Sequence, residues 1–222
     1  MDSYQVWVYV HILLFVFWIG TDVGVFILGK FAQSAKYPVE QRLFAMKVAL
    51  LIDRFPRVCF VLIIPVGMQM AHMSGLLPLS DGQRMFVWGG SAVWLALVFW
   101  GFAVEGQPVA KILRNVERGV QVVAIVAFVW AGLYGLTASE PVTTQWLALK
   151  LLAFAGIILM ALGLDLVSGL MMRGMEMLER EGYSDTAQSA VHVGLNRIYA
   201  FVVGIYVLAL GAAFLGTVKY PI

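Results

Sequence analysis

The chain has 222 residues, of which 61% are hydrophobic and 13% charged, and its formal net charge is +2. Water-soluble domains carry about 25% charged residues, so a soluble fold of this composition would turn much of its apolar surface to water. The small net charge argues against nucleic acid as a partner.

Each membrane-spanning helix needs about 20 mostly apolar residues, so about six spans with short loops consume the length. Residues 1–222 therefore read as a single transmembrane domain, an all-α polytopic membrane helix bundle. Cys59 is the one cysteine and sits in an apolar run, which excludes a disulfide framework or a thiolate metal site. No Cys-x-x-Cys-His sequence occurs, so covalent haem attachment is excluded. The N-terminus lacks the basic segment and cleavage site of a signal peptide, and the first helix is expected to be retained.

In chain order, the first span is expected over residues 4–28. The second covers 55–76, preceded by an amphipathic lead-in over 38–54, and Pro65 inside it removes a backbone donor and predicts a kink. The third covers 85–104 and the fourth 120–138. The fifth covers 143–166 and extends as a surface helix to 180, and the sixth covers 192–218. Pro78, Ser80-Asp81-Gly82, Gln107-Pro108 and Glu140-Pro141 punctuate the joins.

The basic residues alternate between joins. The first join and its lead-in hold Lys30, Lys36, Arg42, Lys47, Arg54 and Arg57. The third holds Lys111, Arg114 and Arg118, and the fifth Arg173 and Arg180, whereas the second offers only Arg84 and the fourth none. Positive loops face the cytoplasm. Joins one, three and five are thus expected inside, and both termini extracytoplasmic. Trp and Tyr near span ends fit an interfacial belt, and Gly156 and Gly163 permit close helix packing.

Ionisable groups inside the hydrocarbon are costly unless paired, which makes each a functional candidate. His11 in the first span, His72 near the end of the second and Lys150 in the fifth fall at similar depth, counted independently on three helices. Imidazole is a standard iron ligand. Two helices presenting His11 and His72 at one depth suit haem b, with Lys150 meeting a propionate or an anionic substrate. The plainer alternatives stay open: a membrane histidine is often a packing residue, His72 is close enough to the interface to be solvated, and Lys150 has the length to snorkel.

Around the helix, His11, Phe15, Trp18 and Asp22 share one face of the first span, a stripe suited to a flat macrocycle or to plain packing. Arg54, about five turns from His72, and Arg57 lie on or near its line, as propionate or lipid-phosphate ligands or as ordinary positive-inside markers. Asp22, Asp53, Glu105, Asp165, His192 and Arg197 gather toward the cytoplasmic side, where they suit ion pairs or a proton entry route.

Residues 8–20, VYVHILLFVFWIG, resemble the first helix of the HemJ and CopD-like membrane proteins, in which a His precedes a Trp by seven residues with a Gly nearby; here these are His11, Trp18 and Gly20. Residues 146–160, WLALKLLAFAGIILM, resemble a later HemJ helix with its Lys-Leu core, at Lys150-Leu151. Residues 195–219 resemble the last helix, with Asn196 early and Lys219 at its end. The resemblance implies haem b on His11 and porphyrinogen oxidation involving Lys150.

The expected function is therefore that of a haem b protein in a bacterial inner membrane, performing electron transfer or HemJ-like porphyrinogen oxidation. A quinone or porphyrin is the expected substrate, and a homo-oligomer or larger membrane complex the expected assembly. The alternatives are a CopD-type transporter of copper or a small solute, and a non-catalytic membrane subunit.

Overall fold

The structure is a computed structural model that describes residues 3–137 and 144–219. The Glu140-Pro141 join, the end of the fourth span at Ala138 and the start of the fifth at Thr143 lie outside the described residues. Those residues form six helices: α1 (Ser3–Gln33), α2 (Val39–Met73), α3 (Asp81–Ala103), α4 (Pro108–Thr137), α5 (Gln145–Glu181) and α6 (Asp185–Val218).

Each of the six expected spans corresponds to a helix, most of them longer than the apolar core, although the second ends at Met73 rather than at residue 76. α4 begins at Pro108 rather than near residue 120, so Lys111, Arg114 and Arg118 lie on a helix and not in a loop. Proline at the first helical position is preorganised for this, because its missing N–H would have no partner there. α6 begins at Asp185, where the Ser184 hydroxyl accepts from the Ala187 N–H at 3.2 Å, and His192 is thus well inside the helix. α3 opens with a capping box between Ser80 and Gln83. α2 runs unbroken through Pro56 and Pro65.

Helices adjacent in sequence pack against each other, α1 meets α6 to complete a ring, and α2 touches α5 across it. The α5–α6 and α1–α2 pairs pack most extensively. Glycines set the approach of α5 to α6. A Cβ at Gly194 would stand 2.5 Å from the Met171 amide nitrogen, and one at Gly174 would stand 2.7 Å from that of Val191. Such backbone-to-backbone contact is open only to glycine.

Five helices, all except α2, are long and apolar enough to cross a membrane. Large apolar side chains stay exposed around the ring, among them Ile27, Phe86, Val123, Trp130, Val207 and Phe214. In water this surface would be strongly unfavourable; against lipid chains it needs no cover. The chain is an integral membrane protein in a lipid bilayer. α2 buries Cys59, Phe60, Val61, Ile63, Pro65 and Val66 in the bundle.

Where α1, α2, α5 and α6 extend past the apolar region they form a second small core, from Ala32, Ala45, Met46, Met175, Leu178 and Val191 among others. Arg42 lies in it with no solvent exposure, 0%. Its Nε donates to the Ala32 carbonyl at 2.8 Å and its Nη2 to Gln188 Oε1 at 2.7 Å. Gln188 Nε2 donates to the Gln33 carbonyl at 3.1 Å. The Gln33 side chain in turn donates to the His192 carbonyl at 3.1 Å and to Asn196 Oδ1 at 2.8 Å. A residue that marks a positive loop in the sequence thus caps the end of α1.

Candidate functional site

Inside the ring is a cavity of about 650 Å³ bordered by α1, α2, α4, α5 and α6, lined mainly by apolar groups such as Phe15, Met68, Phe128 and Phe154. This volume lies in the range of small-molecule and cofactor sites. His11, Trp18 and Lys150 all line it, so three residues expected at one site do come together.

His11 enters from α1 and lies against α2. A Cβ on Gly67 would stand 3.2 Å from its Cε1 and 3.7 Å from its Nδ1, so glycine there gives the imidazole its place. The Nδ1 atom is buried and has no hydrogen-bond partner among the described residues. A buried polar atom left unpaired costs about 1–3 kcal/mol. Lys150 enters from α5 toward α6, where a Cβ at Gly216 would stand 2.6 Å from its Nζ. Among the described residues no carboxylate pairs with Lys150. Lys219, the left-handed cap of α6, lines the same cavity and adds a second cation. The cavity therefore combines apolar walls, an unpaired imidazole nitrogen and two ammonium groups.

Trp18, 6% exposed, closes the floor. Its ring lies 5.3 Å from that of Phe60 and 6.3 Å from that of Phe154, and the Phe60 and Phe154 rings stack at 5.7 Å and 12°. Trp94 and Phe128 extend this layer at 5.8 Å from Phe60 and 5.5 Å from Phe154.

His72, Arg54 and Arg57 stand apart from this cavity. His72 is in the last turn of α2, and its Nδ1 accepts from the Leu79 N–H at 3.1 Å, which ties down the connection to α3. Equal depth along a helix does not fix the direction around it, and the imidazole of His72 serves the turn. Arg54 pairs with Glu105 at 3.0 Å and lies over the Phe102 ring; Arg57 pairs with Asp53 at 2.7 Å. Both arginines border a second cavity of about 280 Å³, on the far side of the aromatic layer.

Gly67, Gly216 and Lys219 belong to the site but were not singled out for it by the sequence pattern. Lys219 carried a signal, as a cation ending the last helix. The two glycines carried none, because their role is to leave space for side chains on other helices.

No known protein family matches the chain, and no curated protein or solved structure matches it either.

Proposed function

We propose that the chain is a haem b-binding membrane protein of redox function, either electron transfer or porphyrinogen oxidation of the HemJ kind. The observation that carries the reading is the buried His11 Nδ1, without a hydrogen-bond partner among the described residues, beside Lys150 in a 650 Å³ apolar cavity. The fit is chemical. An imidazole is the usual haem-iron ligand, the walls suit a flat apolar macrocycle, and Lys150 and Lys219 suit its carboxylates. When bound, the cofactor supplies the one-electron chemistry. His11 would hold the iron; His72, whose Nδ1 accepts from the Leu79 N–H, is not part of this assignment. Lys150 would orient a propionate or a substrate carboxylate, and Trp18 with Phe154 would keep water from the floor. A quinone or porphyrin is the substrate class that matches such walls. The bacterial inner membrane, with both termini extracytoplasmic, is the location and orientation we assign from the alternating basic joins.

The test is absorbance of the purified protein. A Soret band and a reduced α-band are expected, with haem extractable by acid-acetone. His11→Ala should abolish binding. Lys150→Met should keep the fold while weakening haem affinity or shifting the midpoint potential. Full haem occupancy in His11→Ala would end the assignment. A second reading, transport of a small solute, draws on the two cavities that meet at Trp18 from opposite ends. A haem-free protein that moves solute in liposomes would favour it.

A further inference from the structure

Below the aromatic layer lies a third, smaller cavity of about 110 Å³, which shares Trp18 and Ile157 with the large one. Its ionisable lining consists of four carboxylates, Asp22, Asp53, Glu117 and Asp165, and three guanidinium groups, Arg57, Arg114 and Arg118. Their formal sum is one negative charge in excess. An uncompensated charge at membrane depth is costly, so something positive should balance it.

Among the described residues, Asp22 and Glu117 are the carboxylates of this lining without an ion pair, and Arg114 the guanidinium without one. Asp53 on α2 pairs with Arg57 at 2.7 Å. Asp165 on α5 pairs with Arg118 on α4 at 2.6 Å. Glu117 on α4 accepts from the Trp94 indole of α3 at 3.3 Å. Asp22 on α1 makes no ion pair among the described residues; the Asp53 carboxylate and the Arg57 guanidinium, already paired with each other, both act on it. From α6 the buried Tyr206 hydroxyl lies within electrostatic reach of Asp22.

An independent observation indicates the sign of what belongs there. Gln121 of α4 lines the same cavity, is 9% exposed, and its Oε1 is buried with no donor. An acceptor left open beside excess negative charge calls for a donor or a cation and excludes an anion. The space is enough for a few water molecules. It shares Asp22, Asp53, Arg57, Glu117 and Asp165 with the 280 Å³ cavity, whose lining reaches the end of the bundle where Arg54 meets Glu105.

We propose that Asp22 is a proton-binding site, supplied by water from the Arg54–Glu105 end and stopped from going further by the Trp18–Phe60–Phe154 layer. Uptake moves one proton from a hydronium ion to a carboxylate oxygen of Asp22 and leaves water behind; no electron is transferred. Gln121 Oε1 accepts from the water that delivers it. This site is independent of what fills the large cavity.

Infrared spectroscopy of the full chain in lipid nanodiscs at neutral pH tests it. The expected result is a carboxylic-acid C=O band that shifts in heavy water, is lost in Asp22→Asn and persists in Asp53→Asn. Labelling the wild type with aspartate carrying carbon-13 in its side-chain carboxyl should also shift the band, which keeps the test valid if Asp22→Asn does not fold. The band should remain in His11→Ala, so its fate is separate from that of the haem reading. No such band in the wild type, a band surviving Asp22→Asn, or a band moved by labelled glutamate instead would overturn the proposal.

Discussion

Replacing Arg42 by Met keeps the aliphatic stem and removes the guanidinium. The wild-type group makes two hydrogen bonds, to the Ala32 carbonyl at 2.8 Å and to Gln188 Oε1 at 2.7 Å. Hydrogen bonds from charged donors contribute about 1.5–3 kcal/mol each. Against this stands the cost of holding a cation away from water, which pushes the Arg42 guanidinium below its ordinary pKa while leaving it charged. Met recovers that cost but leaves the last carbonyls of α1 without their cap. The net expected loss is about 2–4 kcal/mol, or a fall of roughly 10 °C in melting temperature for a chain this size. Thermal unfolding in detergent, followed by tryptophan fluorescence, reads it. Lys47→Met is the matched control: Lys47 pairs with Glu179 at 3.4 Å with both side chains largely exposed, and such pairs contribute about 0–1 kcal/mol. Arg42→Lys should fall between, because one ammonium cannot span both acceptors in the planar geometry of the fork. If Arg42→Met and Lys47→Met melt together, the buried network does not hold the helix ends, and the reasoning fails.

Gly194→Ala should destabilise by about 1–3 kcal/mol, because its Cβ would meet the Met171 backbone, whereas Gly20→Ala meets nothing within 4 Å and should leave the melting temperature unlowered. Reporter fusions at Lys36, Gln107 and Tyr183 are expected on one side of the membrane and a fusion at Leu79 on the other; Lys36 and Leu79 on the same side would mean that α2 does not cross.

The helices were legible in the sequence because span length and apolar composition are set by the bilayer, independent of tertiary detail. The ends were less so. Runs such as residues 108–119 look like a loop by charge, yet they are helical because Pro108 starts a helix cleanly and the polar face can leave the apolar layer. Depth along the membrane was also readable: His11 and Lys150 do line one cavity. Direction around the helix was readable only for a stripe on one element, as for His11, Phe15 and Trp18. His72 sits at the right depth but bonds the backbone of Leu79, seven residues on. No periodicity reveals that, since it depends on how the chain turns after the helix. The same limit applies to Arg42, whose partners Ala32 and Gln188 are brought together only by the folded bundle.

The two sides of the aromatic layer carry opposite excess charge. Above it Lys150 and Lys219 face an apolar cavity with no carboxylate among the described residues of its lining; below it four carboxylates meet three guanidinium groups. Between them stand Trp18, Phe60 and Phe154, which contribute no charge and pack with ring separations of 5.3–6.3 Å. Interactions between charges weaken little in such a medium, because neither water nor salt reaches it. An anion entering above and a proton bound below would therefore each satisfy a deficit of its own cavity, and each would lie within the field of the other. At a pH high enough to ionise Asp22, Asp22→Asn should leave the binding of an anion above the layer almost unchanged if the cavities are electrostatically separate, and should strengthen it if the carboxylate repels the anion through the ring stack. Haem affinity in the two proteins, measured by titration of the apoprotein at one ionic strength, distinguishes these. A change in affinity that follows the charge at residue 22, and not the volume of its side chain in Asp22→Leu, would tie the two halves of the bundle into one electrostatic unit.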